Sequence, residues 1–197
     1  MNRVIPRADA RLNREHLITA ARDLFSRRGI TVEMREIAEQ AGLAVGTIYR
    51  NYPSKDDLIL AVLQDAMANA SATAGSADEC PQPMQALLLL LEHSFNTTLT
   101  YGWLAGAYNS GLLPERCRAE AVRMGREYDL AGRFERLLRR GVESGDLDPG
   151  LDLPVAAALL VASTTPQVCK ALLETQTPGQ LARLTLDSFL TGWRPRP

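Results

Sequence analysis

Histidine, cysteine and aromatic residues are scarce in this sequence. Its 197 residues include two histidines, three cysteines and 6% aromatic residues. His16 and His93 lie far apart in the chain, and neither belongs to a pattern that is typical of metal ligands. Glycine-rich phosphate loops and a paired nucleophile and base are missing too. We therefore predict that the chain is not an enzyme, has no catalytic residues, and uses no metal or cofactor.

Disulfide frameworks and long apolar runs are also missing. Cys80, Cys117 and Cys169 are odd in number and widely separated, as expected for thiols in a reducing cytoplasm. The longest apolar runs, residues 86–91 and 155–162, are too short to span a bilayer. The N-terminus has no apolar core of a signal peptide. We expect a cytoplasmic protein that does not act at a membrane.

Charge is distributed unevenly along the chain. The net charge is −1, but residues 1–55 hold ten Lys or Arg against six Asp or Glu, a net +4. The remaining residues hold twelve against seventeen, a net −5. A basic N-terminal region on an acidic body indicates attraction to phosphate at one end. A chance fluctuation of a few charges is the alternative.

No stretch shows the alternating pattern of a strand, so the sequence predicts an all-α fold. Two apolar sets with helical spacing lie on either side of Gly42. The first set is Met34, Ile37, Ala38 and Ala41, and the second is Leu43, Val45, Ile48, Tyr49 and Tyr52. Glycine at the junction ends the first helix, and Pro53 disfavours helix at the end of the second. Two short helices joined in this way form a helix-turn-helix.

The residues of this stretch resemble those of a known family. Ile37-Ala38, Ala41-Gly42-Leu43, Gly46-Thr47-Ile48-Tyr49, Tyr52-Pro53-Ser54-Lys55 and Leu58 are similar to the DNA-binding domain of TetR family transcriptional regulators, over about residues 11–60. The resemblance implies a DNA-binding domain at residues 1–55, with a flexible N-terminal arm. It also implies a helical domain for effector binding and dimerisation at residues 56–197. About nine helices are expected in all.

Eight residues are predicted to contact DNA: Arg35, Val45, Gly46, Thr47, Tyr49, Arg50, Asn51 and Lys55. The resemblance implies that Tyr49 and Lys55 bind phosphates. Thr47 offers a hydroxyl and a methyl group, while Arg50 and Asn51 either read base edges or bind the DNA backbone. Ile48 and Tyr52 are predicted to lie in the core.

The chain departs from the family pattern at two helix starts. Glu33 stands where the second helix usually begins with a hydroxyl residue, so Thr31 is expected to cap it, and Arg35 to supply a phosphate contact. Ala44 leaves the third helix without a side-chain cap. Ser54 and Asp57 form a capping box that opens the fourth helix.

The body of the chain is predicted to be helical after a loop at residues 71–83. Helices are expected at residues 84–101, 104–109, 114–144 and 154–174, with a kink at Pro166, and from Pro178 onward. Glycines 125, 132 and 141 are candidate bends in the long helix. The resemblance implies a homodimer through the last two helices, and the alternative is that these residues complete a monomer core.

The resemblance also implies a small-molecule pocket in the body. Candidate lining residues are His93, Asn96, Trp103, Tyr108, Met124 and Tyr128, and ordinary packing or exposure is the alternative for each. Glu92 is the only charged residue between positions 84 and 113, which favours an apolar or amphipathic effector. We expect a repressor that a small molecule releases from a palindromic operator. An activator of the same fold, or a small-molecule-binding module without specific DNA binding, is the alternative.

Overall fold

The computed structural model describes residues 7–193, which form eleven α-helices and no strand. The helices are α1 (Arg7–Arg28), α2 (Met34–Gln40), α3 (Val45–Asn51), α4 (Lys55–Glu79), α5 (Pro83–Tyr101), α6 (Trp103–Asn109), α7 (Glu115–Tyr128), α8 (Leu130–Glu143), α9 (Leu153–Ser163), α10 (Pro166–Leu172) and α11 (Pro178–Trp193). The predicted all-α class is confirmed. Among the described residues, no helix is long and apolar enough to cross a membrane.

The described residues fall into two compact units. The first unit ends at residue 66 and takes in residues 103–123, and the second comprises residues 67–102 and the chain from residue 124 onward. These are units of packing, and the functional domains at residues 1–55 and 56–197 stay a prediction.

The first unit has a core made by the N-terminal helices and α6–α7. Phe25 of α1 is fully buried and packs against Trp103, with ring centroids 4.9 Å apart. Other side chains with no exposed area are Leu17, Ile37, Ile48, Leu58, Val62 and Cys117. α1, α2 and α3 also pack on one another, so these three helices have an apolar core in common.

The second unit is built around α5, on which α8 and α11 pack, and α8 also packs on α9. Its largest fully buried side chains are Phe95, Phe134, Leu87, Leu90, Leu91 and Leu137. A capping box opens the last helix, since Gln180 N–H donates to Thr177 Oγ1 at 3.3 Å and Thr177 N–H donates to Gln180 Oε1 at 2.9 Å.

The loop predicted at residues 71–83 is wrong, because α4 continues to Glu79. Ala70, Ala74 and Ala77 recur at helical spacing and are buried, so the small residues form a packed helix face. Alanine is the strongest helix former, and it outweighs the single glycine in this stretch. Arg140 Nη1 donates to the Asp78 carbonyl at 3.2 Å, which satisfies a carbonyl at the end of the helix.

The long helix predicted at residues 114–144 is two helices, and the break is not at a glycine. Asp129 separates α7 from α8 with φ +47, in the left-handed region that Asp and Asn tolerate best among side-chain-bearing residues. Its Oδ1 accepts a 3.1 Å hydrogen bond from Gly132 N–H and so caps α8. A Cβ at Gly132 would collide with this carboxylate, so the glycine makes room for the cap.

Two further helix boundaries differ from the prediction. The helix expected at residues 154–174 is divided into α9 and α10, because Pro166 opens a new helix at its N1 position instead of kinking one helix. These two divisions account for the eleven helices where about nine were expected. α1 begins at Arg7 rather than near residue 12, and the rest of the predicted N-terminal arm, residues 1–6, lies outside the described residues.

Candidate nucleic-acid interface

The predicted helix-turn-helix is present as α2, a tight turn and α3. Gly42 takes φ +68, and its N–H donates to the Glu39 carbonyl at 3.1 Å. Leu43 N–H donates to the Ala38 carbonyl at 2.9 Å, which completes a Schellman motif. A residue with a Cβ would be strained at this position. The glycine therefore sets the direction in which α3 leaves the turn.

The start of α2 is stabilised differently from the prediction. Glu33 is the N-cap residue, and its N–H donates to Glu36 Oε2 at 2.9 Å. Arg28 Nη1 donates to the other carboxylate oxygen of Glu36 at 2.7 Å. Both contacts lower the pKa of Glu36, and the hydrogen bond from the Glu33 amide has the larger effect. The prediction that Thr31 caps α2 is wrong, since its hydroxyl lies 3.5 Å from the Arg28 carbonyl at the end of α1.

α3 divides into a buried side and an exposed side. Ile48 is fully buried and Tyr52, just after the helix, is 8% exposed, so both predicted core residues are confirmed. Burial raises the pKa of Tyr52. Val45 and Tyr49 are 37% and 50% exposed. A Cβ built on Gly46 would meet open space, so no contact of the described residues requires glycine there.

The Arg50 guanidinium folds back along α3. Its Nε donates to the Gly46 carbonyl at 3.1 Å, and Nη2 donates to Thr47 Oγ1 at 3.1 Å. Thr47 is 9% exposed, so its hydroxyl is largely covered. These contacts use two of the five N–H groups of the guanidinium, so Arg50 can bind a base or a phosphate with the others. If Arg50 exchanges its bond to Thr47, the Thr47 hydroxyl becomes available as well.

Asn51, the last residue of α3, has both ends of its amide in hydrogen bonds. Nδ2 donates to the Thr47 carbonyl at 2.8 Å, and Oδ1 accepts from Nε of Arg14 on α1 at 3.3 Å. The orientation of the amide follows from its neighbours, because a carbonyl needs the NH₂ group and a guanidinium needs the oxygen. Sequence reasoning missed Arg14, and nothing local distinguishes it from Arg11 on the same helix.

Lys55 lies at the start of α4, half-buried. Burial lowers its pKa, and the carboxylates of Glu33, Glu36 and Asp56 act against that shift. The side chain thus sits at the positive end of a helix dipole, where an anion is favoured. Lys55 follows the last residue of α3 by four positions in the sequence.

The predicted capping box anchors this helix start. Asp57 N–H donates to Ser54 Oγ at 3.2 Å, and Ser54 Oγ donates to Asp57 Oδ2 at 2.6 Å. Arg116 of α7 donates to Asp57 Oδ1 at 2.9 Å. The hydrogen bonds from the Ser54 hydroxyl and from Arg116 hold the pKa of Asp57 below its usual range, and the bond from Ser54 has the larger effect.

Arg35 lies on the exposed surface of α2 and is paired. Its Nε donates to Glu39 Oε1 at 2.9 Å, one helical turn along, and this hydrogen bond raises the pKa of Arg35. Exposed pairs of this kind contribute little stability. A phosphate can therefore compete with Glu39 for the guanidinium.

The effector candidates do not share one unit. His93 and Asn96 lie on α5 in the second unit, and burial lowers the pKa of His93, whose Nε2 is 3.2 Å from Thr97 Oγ1. Asn96 is exposed and donates to the carbonyl of its own helix at Glu92. Their roles as effector contacts stay predictions.

The other four effector candidates lie on α6 and α7. Trp103 and Tyr108 belong to the first unit, and Tyr108 is exposed. The Trp103 Nε1 atom is buried, and no acceptor for it is present in the described part of the chain. Met124 is buried in the second unit, and Tyr128 has the Arg133 guanidinium 5.2 Å from its ring centroid. Trp103 thus has a buried hydrogen-bond donor without an acceptor among the described residues.

Comparison with known proteins agrees with this geometry. Residues 17–62 match the model of the bacterial regulatory proteins of the tetR family, and this range contains α2, α3 and the start of α4. Residues 17–62 thus correspond to the N-terminal domain of the TetR family. An HTH-type transcriptional regulator from Staphylococcus aureus is 37% identical over 59 residues, which are 29% of this chain and 32% of that protein. The chain thus spans about a third of the length of the curated relatives that it matches.

Solved structures share the fold over most of the chain. A FadR regulator from Bacillus subtilis in complex with stearoyl-CoA has TM-score 0.67 and 21% identity, covering 90% of this chain and 98% of that one. The ketosteroid regulator KstR2 of Mycobacterium tuberculosis has TM-score 0.68 and 20% identity, with 93% and 95% covered. AibR, in complex with isovaleryl coenzyme A and operator DNA, has TM-score 0.68 and 16% identity, with 89% and 97% covered.

Proposed function

We propose that this chain is a TetR-family regulator, and that it is a homodimeric repressor that binds a palindromic operator and leaves it when a small molecule binds. The observation that carries the proposal is the exposed surface of α3, whose direction the Gly42 turn sets. Lys55 begins the next helix, four positions after the end of α3. A short helix presented in this way fits the DNA major groove. Val45, Gly46 and Tyr49 then face the DNA, and Lys55 binds a phosphate.

Three of the other predicted DNA contacts already have partners within the protein: Arg50 is bound to Thr47, and Arg35 is bound to Glu39. Each guanidinium has further N–H groups that can bind DNA. Where a bond is exchanged instead, it is replaced by one to a charged phosphate or to a base edge, so the net cost is small. These residues therefore remain in the proposed interface.

Exposed apolar side chains support dimerisation through α9 and α11. Val155 and Leu159 of α9 and Leu184 of α11 are 53%, 45% and 52% exposed, although α9 also buries Ala156 and Leu160. A helix that is apolar on its outer face is expected to be covered by a partner. A second copy of the chain supplies the matching surface by symmetry, and a palindromic operator matches the same symmetry.

An apolar or amphipathic effector is the third part of the proposal. The two neighbours described above that were solved with stearoyl-CoA and isovaleryl coenzyme A each hold an acyl group on a charged carrier. α4 runs without a break from Lys55 to Glu79, so a shift of its far end reaches the phosphate-binding lysine. A transcriptional activator of the same fold is the alternative, and it shares every DNA contact proposed here.

Fluorescence anisotropy tests DNA binding and release together. The protein is titrated onto DNA from just upstream of its own coding region and onto random DNA, at two salt concentrations. We expect tight, salt-sensitive binding that prefers the upstream DNA, and weaker binding of both DNAs by Tyr49→Phe and Lys55→Ala. A long-chain acyl-CoA should then lower the anisotropy. Binding without sequence preference, also to DNA selected from a random library, would contradict the proposal.

A further inference from the structure

The contact between Arg14 and Asn51 joins two helices that are far apart in sequence. Arg14 lies on α1 and Asn51 ends α3, and the Nε–Oδ1 distance is 3.3 Å. The side chain of Arg14 is exposed, and no carboxylate in the described part of the chain pairs with it. An exposed arginine is thus held beside the end of the helix that is proposed to enter the groove.

Most other arginines of the first unit whose side chains the structure describes form ion pairs. Arg22, Arg28 and Arg35 form ion pairs with Asp65, Glu36 and Glu39. Arg11, one turn before Arg14 on α1, pairs with Glu15 at 3.8 Å. Arg14 has one hydrogen bond, to a neutral amide, which leaves the full positive charge of the guanidinium available to an anion; Arg50 of α3 is likewise bound to neutral groups only.

Both polar atoms of the Asn51 amide are bound within the protein, as expected of a residue that positions another side chain. Reading an adenine edge takes both the oxygen and the NH₂ group of an asparagine. Here the NH₂ group is bound to the Thr47 carbonyl at 2.8 Å within α3, and the oxygen is bound to Arg14. Only Nε of Arg14 is used, so the two terminal nitrogens of the guanidinium remain free to grip a phosphate with two hydrogen bonds.

We propose that Arg14 is a phosphate-binding residue of the DNA interface and that Asn51 is its positioning residue rather than a reader of base edges. This inference rests on the proposed function, because it assumes that α3 enters the major groove. It predicts that Arg14 contributes affinity on every DNA sequence, since a phosphate contact carries no base information. It also predicts that Asn51 acts through Arg14.

Arg27→Ala is a matched control for Arg14→Ala. Arg27 is exposed on the same helix and has no ion pair within the part of the chain that the structure describes. Thirteen residues separate the two positions, which is about 20 Å of helix. Both variants remove one arginine charge, so they differ in location and not in net charge. A thermal melt of each variant followed by circular dichroism checks that it is folded.

The readout is the dependence of DNA affinity on salt, measured by anisotropy on a duplex selected from a random library by the wild type and on a random duplex. We expect Arg14→Ala to weaken binding to both duplexes by the same factor. The slope of log K against log salt should fall by about 0.9 for each protomer. Arg27→Ala should keep the wild-type slope, and Arg14→Lys should recover it.

The role of Asn51 is tested with a double mutant. Asn51→Ala should weaken binding while the preferred bases stay unchanged, and the Arg14→Ala, Asn51→Ala double mutant should bind like Arg14→Ala alone. A wild-type slope for Arg14→Ala, or a changed base preference for Asn51→Ala, would overturn the inference. A wild type that selects no duplex from the library would overturn the proposed function itself, and the two failures are thus distinguishable.

Discussion

We expect the substitution Leu184→Ala on α11 to weaken the proposed dimer and to leave the fold of the protomer intact. Leu184 is 52% exposed, so about half of its side chain remains to be buried by a partner. Full burial of a leucine stabilises by about 1.5–3 kcal/mol, and the exposed half is therefore worth about 0.8–1.5 kcal/mol in each protomer. A symmetric dimer contains the residue twice, which gives about 1.5–3 kcal/mol in total for Leu184→Ala.

This free energy corresponds to a dimer dissociation constant that is about 10- to 150-fold higher. Sedimentation equilibrium over a series of protein concentrations measures it directly. Leu112→Ala is the control, because Leu112 is 58% exposed in the first unit and lies outside the last helices. A dissociation constant for Leu184→Ala equal to that of the wild type, or an equal loss in Leu112→Ala, would refute the reasoning.

Three further predictions concern stability and its separation from DNA binding. Gly46→Ala should leave the free energy of unfolding unchanged or raise it by up to about 1 kcal/mol through helix propensity, because the new Cβ meets open space. The same substitution should weaken DNA binding if the DNA backbone approaches this residue. Unchanged DNA affinity would disprove that approach. Gly141→Ala places a Cβ 2.7 Å from the buried side chain of Leu147. The cost of overpacking, about 1–3 kcal/mol, should exceed the gain in helix propensity. Gly125→Ala, whose Cβ has nothing within 4 Å, should instead raise the free energy of unfolding measured by urea denaturation. Burial lowers the pKa of His93, so the contribution of its neutral side chain to stability is complete above the unfolded pKa of about 6.5 and is lost as the pH falls through the folded pKa. Between about pH 8 and pH 5 the free energy of unfolding should therefore fall further in the wild type than in His93→Gln. Parallel curves of unfolding free energy against pH would contradict this.

The local parts of the DNA-binding region were predictable from sequence. The Gly42 turn, the bounds of α3 and the Ser54–Asp57 capping box each depend on residues within a few positions of one another. Helix caps and helical apolar spacing are encoded over such distances. The buried positions of Ile48 and Tyr52 followed from the same spacing.

The errors came from competition between local signals and packing. Small residues at positions 71–79 were interpreted as a loop, but buried Ala74 and Ala77 turn this stretch into a packed face of α4. The break at Asp129 depends on a side chain that both adopts the left-handed region and caps the next helix. Neither outcome is visible from composition, because the first depends on what the helix packs against and the second on the backbone conformation of one residue.

Arg14 shows the third kind of limit. It lies 37 positions from Asn51, and only the packed arrangement of α1 and α3 brings the two side chains together. One sequence contains no signal for such a pair, and an exposed arginine on a helix surface is ordinary. The same contact changes the interpretation of Asn51, which the sequence alone had left between base reading and backbone binding.

Selection of DNA from a random duplex library by the purified wild-type protein tests the central claim most directly. The claim is that α3 reads the major groove and that two copies do so together. The account predicts enrichment of an inverted repeat whose half-sites are related by two-fold symmetry, with one dimer bound to each site. Failure to enrich any motif, or enrichment of a single unrepeated half-site bound by one protomer, would contradict it.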